Sequence, residues 1–210
     1  MRKIALFSHH PQCSRDCVNG MISALSGAYD VETFRVDDDF GAILGSADIV
    51  AFPGGIGDSM SFDYLLGDKV EMIQDFVANG GKYLGICMGA YWAGSHYFNL
   101  LDGVDAVQYI KRPTADIARP YGTVADVTWD GKRDSMYFYD GCALVGNKRK
   151  FETVATYANG DAMAIKQGNV GVIGCHPESQ EYWFDTWQYM PDYWHGGRHH
   201  AMLREFVDTL

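Results

Sequence analysis

Three short apolar runs constrain this chain more than any other feature. "KIALFS" (Lys3–Ser8), "DIVAFPGG" (Asp48–Gly55) and "KYLGIC" (Lys82–Cys87) are strand-length, and each leads into small or turn-forming residues. Between them, the segment from Ser14 carries Val18, Met21, Ile22 and Leu25 at helical spacing, while "VETFRV" (Val31–Val36) alternates as a strand does. Asp68 with Glu71 resembles a capping box ahead of an apolar stripe of Val70, Ile73, Phe76 and Val77, and "NGG" (Asn79–Gly81) stops that helix. Strand, helix, strand, strand, helix, strand, helix is the order of an open, mostly parallel sheet covered on both faces. Ligands bind such sheets beyond the carboxyl ends of the strands. The loops "SHHPQCS", "PGGIGD" and "CMGAY" are therefore expected to share one edge.

The second half reads differently. Short β-type runs are separated by Asp130-Gly131, Asn159-Gly160 and Gly168-Asn169, which are two-residue hairpin signals. They predict an antiparallel meander that extends the sheet, so residues 1–210 are expected to form a single domain. The aromatic segment Glu181–Gly197 has no period and predicts a long loop. A closing helix places Met202, Leu203, Phe206, Val207 and Leu210 on one face.

Several function classes are disfavoured at this level. The formal net charge of −10 argues against a broad nucleic-acid or anionic-membrane surface. No apolar run reaches about eighteen residues, and the stretch after Arg2-Lys3 is too short for a signal peptide. Five cysteines, an odd number without framework spacing, suit reduced thiols and a cytoplasmic location. Cys13 and Cys17 lack the second ligand pair of a zinc site, and no ATP-binding loop or other cofactor signature is present.

The chemistry is concentrated at Gly85-Ile86-Cys87-Met88-Gly89. A sharp strand-to-helix turn lifts one side chain out at the sheet edge, in a backbone conformation that tolerates only very small neighbours two positions away. The N-terminus of the following helix favours a thiolate. A thiolate nucleophile needs a base, and "GVIGCHPES" supplies one at the end of a strand. His176 and Glu178, two apart, share one side in extended geometry, and Pro177 stiffens the pair. The tetrahedral oxyanion of a thioester-forming reaction needs two backbone donors. The Met88 N–H is one candidate and Gly55, in "FPGGIGD", is the other.

Pro-Gly-Gly, then Gly-x-Cys-x-Gly, then a late His-Pro-Glu resembles the class I glutamine amidotransferase-like superfamily. Within it, "FPGG", "FVANGGKYLGICMGAYWAG" and "CHPE" look most like the amidotransferase-like domain at the N-terminus of eukaryotic biotin–protein ligases. The resemblance implies a flavodoxin-like sheet and a Cys87–His176–Glu178 triad. It implies little about the substrate. The triad's chemistry points to a small amide or peptide-like one, and, if the chain supplies ammonia, the missing ATP-binding loop implies a separate synthetase or ligase partner. One position departs from it. Glutamine-using members carry Gln two residues after the second elbow glycine, where this chain has Tyr91.

Gly54, Asp58, Tyr91, His9 and His10 are the candidates for substrate contact, since all fall in the loops assigned to the active edge. His195, His199 and His200 invite a metal reading but have no carboxylate partner in sequence, so no metal is assigned. Two other functions fit the same residues. One is a non-catalytic binding domain that keeps the fold, for which Tyr91 speaks. The other is a peptidase or γ-glutamyl hydrolase with the acidic aromatic segment as its specificity surface.

Overall fold

A computed structural model describes residues 1–210. The first half alternates as its apolar runs require: β1 (Lys3–Phe7), α1 (Arg15–Leu25), β2 (Asp30–Phe34), α2 (Phe40–Ser46), β3 (Ile49–Phe52), α3 (Ser59–Leu66), α4 (Val70–Ala78), β4 (Lys82–Ile86) and α5 (Met88–Trp92). β1, β3 and β4 are buried almost throughout because both of their faces are covered. The second half adds β5 (Val104–Gln108), β6 (Thr123–Trp129), β7 (Lys132–Phe138), β8 (Cys142–Gly146), β9 (Glu152–Tyr157), β10 (Ala162–Gln167), β11 (Val170–Ile173) and α6 (Arg198–Asp208).

All the strands join one sheet of order β2-β1-β3-β4-β11-β10-β9-β6-β7, with β8 pairing β10 and β5 pairing β8. From β2 to β11 the pairing is parallel; beyond β11 it is antiparallel. Connections run from β1 out to β2 and back across to β3, so right-handed crossovers put α1 and α2 on opposite faces. α1 packs against α6, and α2 against α4. The β6–β7 hairpin turns on Asp130 and Gly131, both at positive φ (46° and 77°), as a type I′ turn demands.

Three local expectations need correction. α2 and α3 carry little helical signal in the sequence, because two glycines dilute the first and a glycine-rich loop precedes the second. Asp39 and Asp58 cap them, accepting from Ala42 N at 3.1 Å and Ser61 N at 2.9 Å. Asp68 does not cap α4. Gly67–Lys69 is a 3₁₀ turn leading straight from α3 into α4, Lys69 occupies the cap position, and the Asp68 carboxylate pairs with it at 2.8 Å. α5 ends after five residues, which leaves little helix dipole to act on Cys87. The aromatic segment is a loop braced by two 3₁₀ turns, Glu181–Asp185 and Pro191–Tyr193. No helix is long and apolar enough to cross a membrane.

Candidate active site

Cys87 stands at the junction of β4 and α5 with φ 50° and ψ −102°, a region that L-residues rarely occupy. Surrounding bonds hold it there. Its N–H donates to Ile173 O at 2.8 Å, its carbonyl accepts from Tyr91 N at 3.1 Å, and Gly89 N donates to Pro53 O at 3.1 Å. The flanking glycines are sterically required. A Cβ on Gly85 would lie 2.3 Å from Gly89 O, and one on Gly89 would lie 2.1 Å from Phe52 O. The sharp turn is thus built by close backbone contact among β3, β4 and α5.

β11, beside β4, delivers the second component. Its chain continues to His176, whose N–H donates to Tyr137 O at 2.9 Å. His176 Nδ1 lies 2.9 Å from Glu178 Oε1, with both side chains buried. The geometry lets Nδ1–H donate to the carboxylate, which accepts. His176 Nε2 is buried without a partner, and His176 and Cys87 line the same cavity of about 890 Å³. Burial disfavours an imidazolium. The Glu178 charge, reinforced by the Cys87 and Cys17 sulfurs, outweighs it and holds the His176 pKa well above its ordinary value.

Gly55 and Met88 line this cavity as well. Gly55 faces Cys13 in an isolated bridge whose bonds are made by its neighbours, Ser14 N to Gly54 O at 3.0 Å and Ile56 N to Gln12 O at 2.7 Å. The Gly55 N–H donates to no backbone acceptor, and neither does the Met88 N–H at the first position of α5. A Cβ on Gly55 would lie 1.9 Å from Gln12 O, so the first loop presses directly against it.

Residues 8–105 match the family model described as biotin-protein ligase, N terminal. That match contains Cys87 and stops short of His176 and Glu178. No curated protein matches the chain. Among solved structures, a glutamine amidotransferase aligns with 98% of this chain and 97% of its own, at TM-score 0.68 and 16% identity. A glutamine amidotransferase from Thermotoga maritima covers 99% and 97%, at TM-score 0.69 and 11% identity. The structure of PurLQS from Thermotoga maritima covers 98% and 99%, at TM-score 0.66 and 15% identity. The chain has the class I glutamine amidotransferase-like fold. At these identities the structural likeness is one of architecture.

On this amidotransferase-like frame the other expected residues divide. Asp58 and Tyr91 line the cavity; Tyr91 donates its hydroxyl to Asp140 O at 3.1 Å. Gly54 lies behind the site. A Cβ there would come within 2.7 Å of Cys17 Sγ and 2.8 Å of His176 Cε1, so its role is to let the imidazole approach. His9 and His10 are not brought to the cavity. The first loop folds back to bond Gly54 and Ile56, and the His9 ring stacks on Phe7 at 6.2 Å.

Several residues around this cavity are not apparent from the sequence. Cys17, on α1, sits 3.9 Å from His176 Nδ1 and lines the cavity; burial, before any other cause, raises its thiol pKa. Cys17 Sγ, His176 Nδ1 and a Glu178 oxygen lie within 4.8 Å of one another, a spacing a metal could use. Here Nδ1 is already committed to Glu178, and a metal would have to displace that bond. Gly20 of α1 faces Glu178, with a built Cβ 2.6 Å from its carbonyl oxygen. Tyr137 and Trp183 meet the His176 ring edge-on at 5.9 and 5.7 Å.

The three late histidines lie outside this cavity, and they do have a carboxylate. Asp134 Oδ2 of β7 is 3.2 Å from His199 Nε2. His195 stacks on His199 at 4.2 Å, and His200 Nε2 lies 2.9 Å from Ser179 O. Burial holds the His195 pKa down at about 3 and that of His199 at about 4, so both are neutral spacers beneath the His176–Ser179 turn.

Proposed function

We propose that residues 1–210 form a single unit acting as a cysteine-dependent amide hydrolase or amidotransferase-like enzyme. The Cys87 sulfur attacks a carboxamide carbon and the carbonyl oxygen takes the electron pair. The N–H groups of Gly55 and Met88 hold that oxyanion. His176 carries the proton from the thiol and gives it to the departing nitrogen as the C–N bond breaks, leaving a thioester. Water then attacks with His176 as base, the acid leaves, and the sulfur regains its proton. Glu178 fixes the ring so that Nε2 faces the reaction. No cofactor enters this scheme.

The observation carrying the reading is the buried His176–Glu178 pair, which leaves His176 Nε2 unpartnered in a residue that lines the same cavity as the strained Cys87. If ammonia is the useful product, a synthetase partner consumes it, and the likeness to PurLQS suits that arrangement. Tyr91, packed against Asp140, leaves the nature of the acyl donor open. A peptidase or γ-glutamyl hydrolase is the second reading, favoured by Tyr182, Trp183 and Thr186 of the aromatic loop forming one wall of the cavity.

Brief labelling with iodoacetamide and with an electrophilic glutamine analogue, read by mass spectrometry on wild type and His176→Ala, tests this. Fast modification of Cys87 that slows in His176→Ala is the expected result. If Cys87 reacts no faster than the buried Cys142 and the variant changes nothing, the catalytic reading falls and a binding domain replaces it.

A further inference from the structure

The cavity above Cys87 is lined by 19 residues, among them Asp16, Asp58 and Asp140 and not one lysine or arginine. None of these three carboxylates is within 4.0 Å of a cationic nitrogen. Each is held instead by neutral donors. Tyr182 OH donates to Asp16 at 2.8 Å, Ser61 OH to Asp58 at 2.7 Å, and Gln108 Nε2 to the two oxygens of Asp140 at 3.1 and 2.9 Å. The charges are therefore positioned but not neutralised, and Lys111, whose field reaches Asp140, makes no ion pair with it. The one cationic group at the floor, His176, is already compensated by Glu178.

Aromatic rings fill much of the remaining wall: Tyr91, Tyr97, Tyr137, Tyr139, Tyr182 and Trp183. Ring faces attract cations and give nothing to a carboxylate. The buried, unpartnered His176 Nε2 marks where the reacting atoms go. Around it stands a field that raises the local concentration of positive ligands and repels negative ones. An anionic group such as the α-carboxylate of glutamine meets no lysine or arginine on this lining, and its one histidine, His176, is already paired with Glu178.

Resting on the Cys87 reading above, we propose that the substrate is a cationic acyl compound, an amide or ester carrying an ammonium or guanidinium group that the Asp16, Asp58 and Asp140 carboxylates and the tyrosine wall receive. Anionic amides are rejected by the same charges. The acidity here selects the substrate as it enters and takes no proton in the chemical step.

Three alkylating probes separate the possibilities: iodoacetate, iodoacetamide, and iodoacetamide bearing a 2-(trimethylammonio)ethyl group on nitrogen. Rates at Cys87 are read by mass spectrometry at low and high ionic strength and normalised to 2-mercaptoethanol. The expected order is cation, neutral, anion, with the ends separated by about tenfold or more at low salt and converging at high salt. Asp16→Asn, Asp58→Asn and Asp140→Asn should each compress that ratio by about two- to fourfold. These variants should fold, because Asn caps α3 as well as Asp does and tolerates the positive φ of 49° at Asp140. Asp75→Asn, on the exposed side of α4, changes net charge equally and should leave the ratio alone. A flat order, or one that Asp75→Asn alters as much as the cavity variants do, overturns the proposal. Loss of the order with labelling still slowed by His176→Ala removes the cationic substrate and keeps the enzyme. A preserved order at a Cys87 that ignores His176→Ala removes the enzyme and keeps a cation-binding pocket.

Discussion

Glu178 Oε1 meets His176 Nδ1 at 2.9 Å with both side chains removed from water, so the ring can neither rotate nor lose its partner cheaply. Removing the charge while keeping the shape isolates what the carboxylate does. Glu178→Gln can still accept from Nδ1, but burial then acts on the imidazolium with its main opposing charge removed. Turnover of a cognate substrate, and His176-dependent labelling of Cys87, should fall by about 10²–10⁴-fold. A variant within twofold of wild type would mean that Glu178 only fills space.

Gly20→Ala sets two effects of opposite sign against each other. Alanine favours a helix interior over glycine by about 1 kcal/mol. The added Cβ would lie 2.6 Å from Glu178 O and 3.0 Å from Glu178 Cγ, and the backbone there is anchored through His176. Overpacking of this kind costs about 1–3 kcal/mol, so net destabilisation is expected in urea, with slower Cys87 labelling. A stabilised and fully reactive variant would show that α1 moves aside freely.

Cys17 and Cys87 line one cavity with His176, and the two thiols should behave differently. Cys17 is held neutral by its burial, so Cys17→Ala should keep the fast-labelling thiol and lose about 1 kcal/mol of stability. Cys87→Ser should abolish fast labelling altogether. Peptide mapping that finds the fast adduct on Cys17 would reassign His176 to that sulfur.

His195 and His199 give the fold a pH dependence with a definite sign. Their folded pKa values, about 3 and about 4, lie below the ordinary histidine value. Between about pH 4 and pH 6.5 the unfolded chain therefore binds more protons than the native one, and stability falls as pH falls. The urea midpoint should drop steadily across that window. His199→Gln should flatten the slope by roughly one proton, and an unchanged slope would place the titration elsewhere.

The parallel half and the elbow were legible because their signals are local. Short apolar runs, glycines flanking a cysteine and a proline between His176 and Glu178 all act within a few residues. What stayed hidden depends on distant approach. Cys17 and Gly20 read as ordinary helix residues until α1 is laid across the end of β11. Asp134 answers the missing carboxylate of the late histidines from a strand far upstream of them. The helix after the elbow is short because Gly94 and Asn99, the latter at φ 51°, turn the chain away, and nothing in "MGAYWAG" itself marks that early end. Loop membership alone points His9 and His10 to the site, whereas backbone bonds between the first loop and Gly54 and Ile56 hold that loop so that neither ring lines the cavity.

The pairing of β11 with β4 also imposes an order of events on a newly made chain. The elbow belongs to the fourth strand, but its neighbour arrives only after β5 to β10 have been traversed, and closing that span is entropically slow. Until Ile173 O receives the Cys87 N–H, the cysteine has neither its fixed backbone nor a base beside it. On the proposed mechanism the thiol has until then only the reactivity of an ordinary cysteine, and its activation by His176 reports that both halves have met. In a refolding time course, Cys87 reactivity should rise last, after the sheet signal is complete, so the reagent that tests the chemistry also clocks the final step of assembly.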